Sequence, residues 1–142
     1  MCYLCYWRNC FIAKEAAILL EKDGISARIV VVTSIKPINK DEIYKAIDEI
    51  GVIFTLEEHS KIGGLGSSIA EVALEYENKP RLFHRFGLPD KFPTIVGDQS
   101  YLRGFYQLDG KSVAKLILIS PAGVVTVGVT KLFFLPNGNG GV

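Results

Sequence analysis

A three-layer α/β fold, with helices on both faces of a mostly parallel sheet of roughly five strands, is what this sequence predicts. Three observations point to it. Stretches with apolar residues at helical spacing alternate with short β-prone runs, glycine or proline breaks stand between them, and Ile29 to Thr33 is an almost continuous β-branched run. Such a run suits a strand buried on both faces of a parallel sheet.

The elements follow in order. Cys2 to Tyr6 reads as a buried apolar strand, which would send Cys2 and Cys5 to opposite faces. From Ala13 to Lys22, Ala13, Ala16, Ala17 and Leu20 share a helical face, and Gly24 stops it. The β-branched run comes next, and Pro37 breaks the chain. Asn39 or Asp41 can cap a helix through Ile43, Ala46, Ile47 and Ile50, closed by Gly51. Val52 to Leu56 is the next strand. Ser67 to Tyr76 carries Ile69, Val72 and Ala73 on one helical face, and R-L-F-H-R-F, Arg81 to Phe86, reads as a strand. Helical patterns over Gln99–Tyr106 and Gly110–Leu118 flank a Leu-Asp-Gly turn. Beyond residue 119 the character changes: the stretch from 120 to 142 is apolar, β-prone, and ends in a glycine-asparagine coil.

Bulk properties exclude several classes. A chain of 142 residues fits one domain, long enough to bury roughly two-thirds of its unfolded surface. With 16 basic and 15 acidic residues the net charge is +1, so no global field attracts nucleic acid or an anionic membrane. The three cysteines, Cys2, Cys5 and Cys10, are odd in number and crowded at one end, a poor disulfide framework and a sign of a reducing cytoplasm. No apolar stretch approaches the ~20 residues of a membrane span, and a soluble domain is expected.

The stretch T-L-E-E-H-S-K-I-G-G-L-G-S-S-I-A-E, Thr55 to Glu71, concentrates the candidate chemistry. Gly63, Gly64 and Gly66 precede a helix whose first amides lack internal partners, so a phosphate or carboxylate could bind there. The alternative is a tight turn that lets the helix lie close to the sheet. A dinucleotide fingerprint fits badly, and a P-loop is excluded because no Lys-Ser or Lys-Thr follows. Glu57 and Glu58 should project to opposite faces of a strand end and so cannot pair as acid and base. His59 beside Ser60 makes no nucleophile and base by adjacency, but it stands past a strand end, where ligands of open α/β sheets collect. His84, inside a strand, should serve packing. Cys2-x-x-Cys5 lacks the further ligands that zinc requires.

Taken together, G-I-S-A-R-I-V, S-I-K-P-I-N, E-E-H-S-x-x-G-G-L-G and F-G-L-P-D-K-F, in this order and at these intervals, resemble the C-terminal domain of the transketolase family of thiamine diphosphate enzymes. The resemblance runs from about Ala13 to about Ile119, with G-D-Q-S-Y-L-R and Y-Q-L-D-G-K-S-V-A-K-L-I similar to the closing helices. Deoxyxylulose-phosphate synthase and the β-subunits of 2-oxo acid dehydrogenases share the fold; His59-Ser60 and the S-I-K-P-I turn favour transketolase.

This resemblance implies that the chain is a C-terminal domain or fragment, residues 1–119, which stabilises a dimer and braces an active site. The complete enzyme of the pentose phosphate pathway would move a two-carbon ketol group between sugar phosphates. It would use thiamine diphosphate and magnesium held by pyrimidine- and diphosphate-binding domains that this sequence lacks. The chain alone is therefore expected to bind no cofactor and to be inactive, and Asp98, in Gly97-Asp98-Gln99, is not a magnesium ligand. Glu58 and His59 are expected to face a neighbouring domain. The N-terminal twelve residues depart from the family. Relatives have an Ala-Thr-Gly-like turn where this chain reads C-Y-W-R-N-C, whose codons read one base later can encode Ala-Thr-Gly-Glu-Ile-Val. A frame shift before about Phe11, with a similar origin for the tail, is the expectation; an upstream frame without a pyrimidine-binding domain would contradict it. Two further readings stay open: a free-standing module that holds an anion or a partner carboxylate at Gly63, Gly64 and Gly66, and a frame-shifted product without function.

Overall fold

The computed structural model describes residues 1–6 and 9–120. The order is β1 (Cys2–Tyr6), α1 (Cys10–Lys22), β2 (Arg28–Val32), α2 (Lys40–Glu49), β3 (Val52–Ser60), α3 (Leu65–Glu75), β4 (Leu82–Leu88), α4 (Gln99–Phe105) and α5 (Gly110–Ile119). The strands form one parallel sheet in the order β2-β1-β3-β4. Among the described residues four strands stand where roughly five are predicted. After β4, Pro89 and Pro93 interrupt the chain, and proline has no N–H to give a ladder. The tail that the sequence sets apart lies, from residue 121 onward, outside the described residues.

Strand alternation divides the core into two halves. Tyr3, Cys5, Phe54, Leu56 and Phe86 meet Ile12, Ala16 and Leu20 of α1 and Val113 and Ile117 of α5. Cys2, Leu4 and Ile53 point the other way, against Ile43 and Ile47 of α2 and Leu65, Ile69 and Val72 of α3. The result is three layers, helices on both faces of the sheet. β1, the segment for which a shifted frame is expected, builds the interior: Cys2, Tyr3, Leu4 and Cys5 are fully buried, and β1 pairs with β2 on one side and β3 on the other.

β2 corrects one expectation. It is an edge strand rather than one buried on both faces, and Val31 is exposed. Its β-branched residues satisfy strand propensity, which does not distinguish an edge from a centre. Helix starts follow capping chemistry. Asn39, one of the two predicted caps, accepts from the amide of Glu42; Asp98 caps α4 through the Tyr101 amide at 2.8 Å, and Asp109 caps α5 through the Ser112 amide at 3.0 Å. At the end of α2, Gly51 takes φ +67°, a conformation that glycine adopts without strain.

β3 is longer than predicted. Its pairing with β1 ends at Leu56, but it continues to Ser60 beside β4, with a register shift between Leu56 and Ser60. Glu57, Glu58, His59 and Ser60 therefore belong to a bulged strand end that passes the last residue paired with β1. Among the described residues no helix is long and apolar enough to cross a membrane.

Candidate functional site

The extension of β3 decides where the two glutamates go. Glu57 turns to the α3 face and is 3% exposed. Its Oε2 accepts a hydrogen bond from the amide of Leu65 and its Oε1 one from the amide of Gly66, each at 2.8 Å. These are first-turn amides of α3, which have no partner within the helix. The carboxylate also lies where the helix dipole favours negative charge. The anion that occupies this helix start is thus a side chain of the protein itself.

Glycine is required here by proximity. A Cβ on Gly64 would lie 1.9 Å from Glu57 Oε2, and one on Gly66 would lie 2.7 Å from Thr55 Oγ1 and 2.8 Å from Arg85 Cδ. From β4, Gly87 approaches so closely that a Cβ would meet Glu57 Cγ at 3.1 Å. The loop is tied from outside by Ser67. Its hydroxyl donates to the Lys61 carbonyl at 2.9 Å and accepts from the Gly63 amide at 3.1 Å and from Arg85 Nη1 at 3.2 Å, while the same Nη1 also donates to the Lys61 carbonyl at 2.9 Å. All of the acceptor and donor capacity of that hydroxyl is used. α3 starts at Leu65, two residues before its predicted start, because Glu57 supplies the cap from a distance that sequence neighbours do not reveal.

Glu58 projects to the opposite side. It pairs with Arg103 of α4 and accepts a hydrogen bond from Gln99 Nε2 at 2.8 Å. The Arg103 guanidinium lies 4.7 Å over the ring of Phe11, so one arginine joins β3, α4 and α1. Glu58 is engaged within this chain. His59 faces solvent, its Nδ1 3.3 Å from the Ser60 carbonyl. Sequence reasoning singled out Gly63, Gly64, Gly66, Glu58 and His59; the structure gathers Gly64 and Gly66 at Glu57, ties Gly63 to Ser67, and leaves Glu58 and His59 elsewhere. Glu57 as a cap, Gly87, Arg85 and Arg103 escaped that reasoning. The signal available was a strand-end glutamate eight residues before a glycine-flanked helix start.

His84 lies exposed on β4, its ring edge-on to Phe86 with ring centroids 4.8 Å apart. Partial desolvation, and after it Lys61 and Arg85, hold its imidazole below the usual histidine range. Cys2 and Cys5 point to opposite halves of the core.

Two positions bear on whether a diphosphate or magnesium could be held among the described residues. The start of α3, where the sequence allows either an anion or a tight turn, holds the Glu57 carboxylate, which would repel a diphosphate. Asp98 is committed to the amide of Tyr101. Among the described residues no group of three or more His, Cys, Asp or Glu side chains could hold a metal ion.

Residues 4–113 match the family described as transketolase, C-terminal domain. The chain is 43% identical over 105 residues to 1-deoxy-D-xylulose-5-phosphate synthase of Heliobacterium modesticaldum, covering 74% of this chain and 16% of that protein. It is 36% identical over 106 residues to one subunit of the apulose-4-phosphate transketolase of Phocaeicola vulgatus, covering 75% of this chain and 33% of that subunit. Among solved structures it resembles a split gene transketolase described as an inactive β4 tetramer, with TM-score 0.73 and 34% identity, over 82% of this chain and 37% of that one. The chain thus spans between 16% and 37% of the length of these relatives.

Proposed function

Since the chain belongs to the transketolase C-terminal domain family, we propose that it is the C-terminal part of a transketolase-type transferase. In this role it supports dimerisation and braces the active site without carrying it. The complete assembly, a homodimer in the cytoplasm, moves a two-carbon ketol group between sugar phosphates. Thiamine diphosphate and magnesium are bound there by pyrimidine- and diphosphate-binding domains, in a separate subunit or in another part of the same protein.

The observation that carries this reading is the Glu57 carboxylate seated on the amides of Leu65 and Gly66. It makes E-E-H-S-K-I-G-G-L-G a structural bracket, and it weighs against a free-standing anion-binding module at Gly63, Gly64 and Gly66. The similarity to one subunit of the apulose-4-phosphate transketolase supports a separate partner subunit. An interface is supported by Phe92 and Val96, 96% and 97% exposed, and by the exposed rings of Tyr101 and Phe105 on the adjoining α4. Large apolar side chains so fully in water are what a partner surface covers.

Calorimetric titration of the purified chain with thiamine diphosphate and magnesium tests the assignment. No binding heat is expected. Saturable micromolar binding would overturn it.

A further inference from the structure

Two thiols come together at the junction of β1 and α1, and the transferase reading makes no use of them. Cys5, fully buried, places its Sγ 3.2 Å from the Sγ of Cys10 in the first turn of α1. A second contact, 3.8 Å to the Val30 carbonyl, seats the Cys5 sulfur. Cys10 is the less buried of the two and the one that a reagent meets first. Burial, and after it the hydrogen bond to Cys10, push the Cys5 thiol well above the ordinary range. Cys2 is no competitor. It lies in the other half of the core, and burial pushes its thiol up to about 12.

We propose that Cys5 and Cys10 form a reversible dithiol–disulfide pair, oxidised by a small disulfide of the glutathione class. Cys10, as thiolate, attacks one sulfur of the small disulfide; that S–S bond breaks, and the released thiolate takes up the proton that Cys10 gave. The Cys5 sulfur then attacks Cys10 in the mixed disulfide, and the second small thiol leaves with the proton of Cys5. Two protein thiols are oxidised and one small disulfide is reduced to two thiols. The sulfurs must close from 3.2 Å to a bond of about 2.05 Å, a movement that side-chain rotation at a helix start can supply. The bond would tie the carboxyl end of β1 to α1 one residue before Phe11, on which Arg103 rests. Oxidation therefore acts on the same corner that holds α4 to the sheet.

The test uses the full chain in a redox buffer of reduced and oxidised glutathione, in native buffer and in urea, followed by acid quench, alkylation and peptide mass spectrometry. The expected result is a peptide pair joined through Cys5 and Cys10 with Cys2 alkylated, so that titratable thiols fall from three to one. The equilibrium constant for closure should be roughly tenfold or more higher in native buffer than in urea, since the fold holds the sulfurs together. Cys2→Ser should keep the bridge. Reduced Cys5 and Cys10 throughout, a stable glutathione adduct on Cys10 without the bridge, or a native-to-urea ratio of one or less would overturn the proposal.

Discussion

Gly64 and Glu57 are in such close contact that a Cβ on Gly64 would stand 1.9 Å from Glu57 Oε2. Neither a helix start nor a strand end moves freely, so an added methyl group must displace the carboxylate from the amides it caps. Gly64→Ala is expected to destabilise the domain by about 1–3 kcal/mol in urea unfolding. In a double-mutant cycle with Glu57→Ala the two losses should fall short of additivity by about 1 kcal/mol or more. Additive losses would mean that the glycine acts through something other than Glu57.

Glu57→Gln keeps the shape and removes half of the cap. The Gln amide group offers N–H where Leu65 or Gly66 also offers N–H, leaving buried donors facing each other. A loss of about 2–4 kcal/mol is expected, with faster hydrogen exchange at the first amides of α3. A variant as stable as wild type would contradict the role given to this side chain.

Arg103 joins three elements through Glu58 and Phe11. Arg103→Ala should cost about 1–2 kcal/mol and raise exchange in α4 more than in α5, which packs on α1 by apolar contacts. Equal protection in α4 before and after the change would show that the helix is held by other means.

His84 gives a pH dependence with a defined sign. Its folded value lies below 6.5, chiefly through partial desolvation and then through Lys61 and Arg85. As pH falls, the unfolded chain binds this proton first, so stability present above pH 6.5 is lost on acidification through the lower folded value. Melting temperatures of His84→Gln should fall less steeply than those of wild type in that window. Parallel curves would remove His84 as the cause.

Phe92 and Val96 separate folding from association. Because both are almost wholly exposed, Phe92→Asp and Val96→Asp should change the stability of the isolated chain by no more than about 0.5 kcal/mol. Sedimentation of the assembly should nevertheless show weakened association. Unchanged association would place the interface elsewhere.

Much of this fold was legible because its elements announce themselves locally. Asn39 stands where a cap is needed, Gly51 follows the last turn of α2, and the apolar periods of α2 and α3 match their buried faces, whereas the capping roles of Asp98 and Asp109 were not read. What stayed hidden depends on pairing between distant segments. The edge position of β2 cannot be read from a β-branched run, and the bulge that carries β3 to Ser60 exists only beside β4. Glu57 was the hardest to read, because a charged residue argues for exposure unless the amides waiting for it are known. Arg103 and Glu58 are 45 residues apart, and no local pattern links them.

Reconstitution tests the central claim most directly. The chain is mixed with a subunit carrying the pyrimidine- and diphosphate-binding domains, and ketol transfer between sugar phosphates is followed with thiamine diphosphate and magnesium present. Transfer that appears only in the mixture, and that weakens with Phe92→Asp or Val96→Asp, is the predicted result. Transfer by the isolated chain, or a stable complex with no gain in transfer, would contradict it.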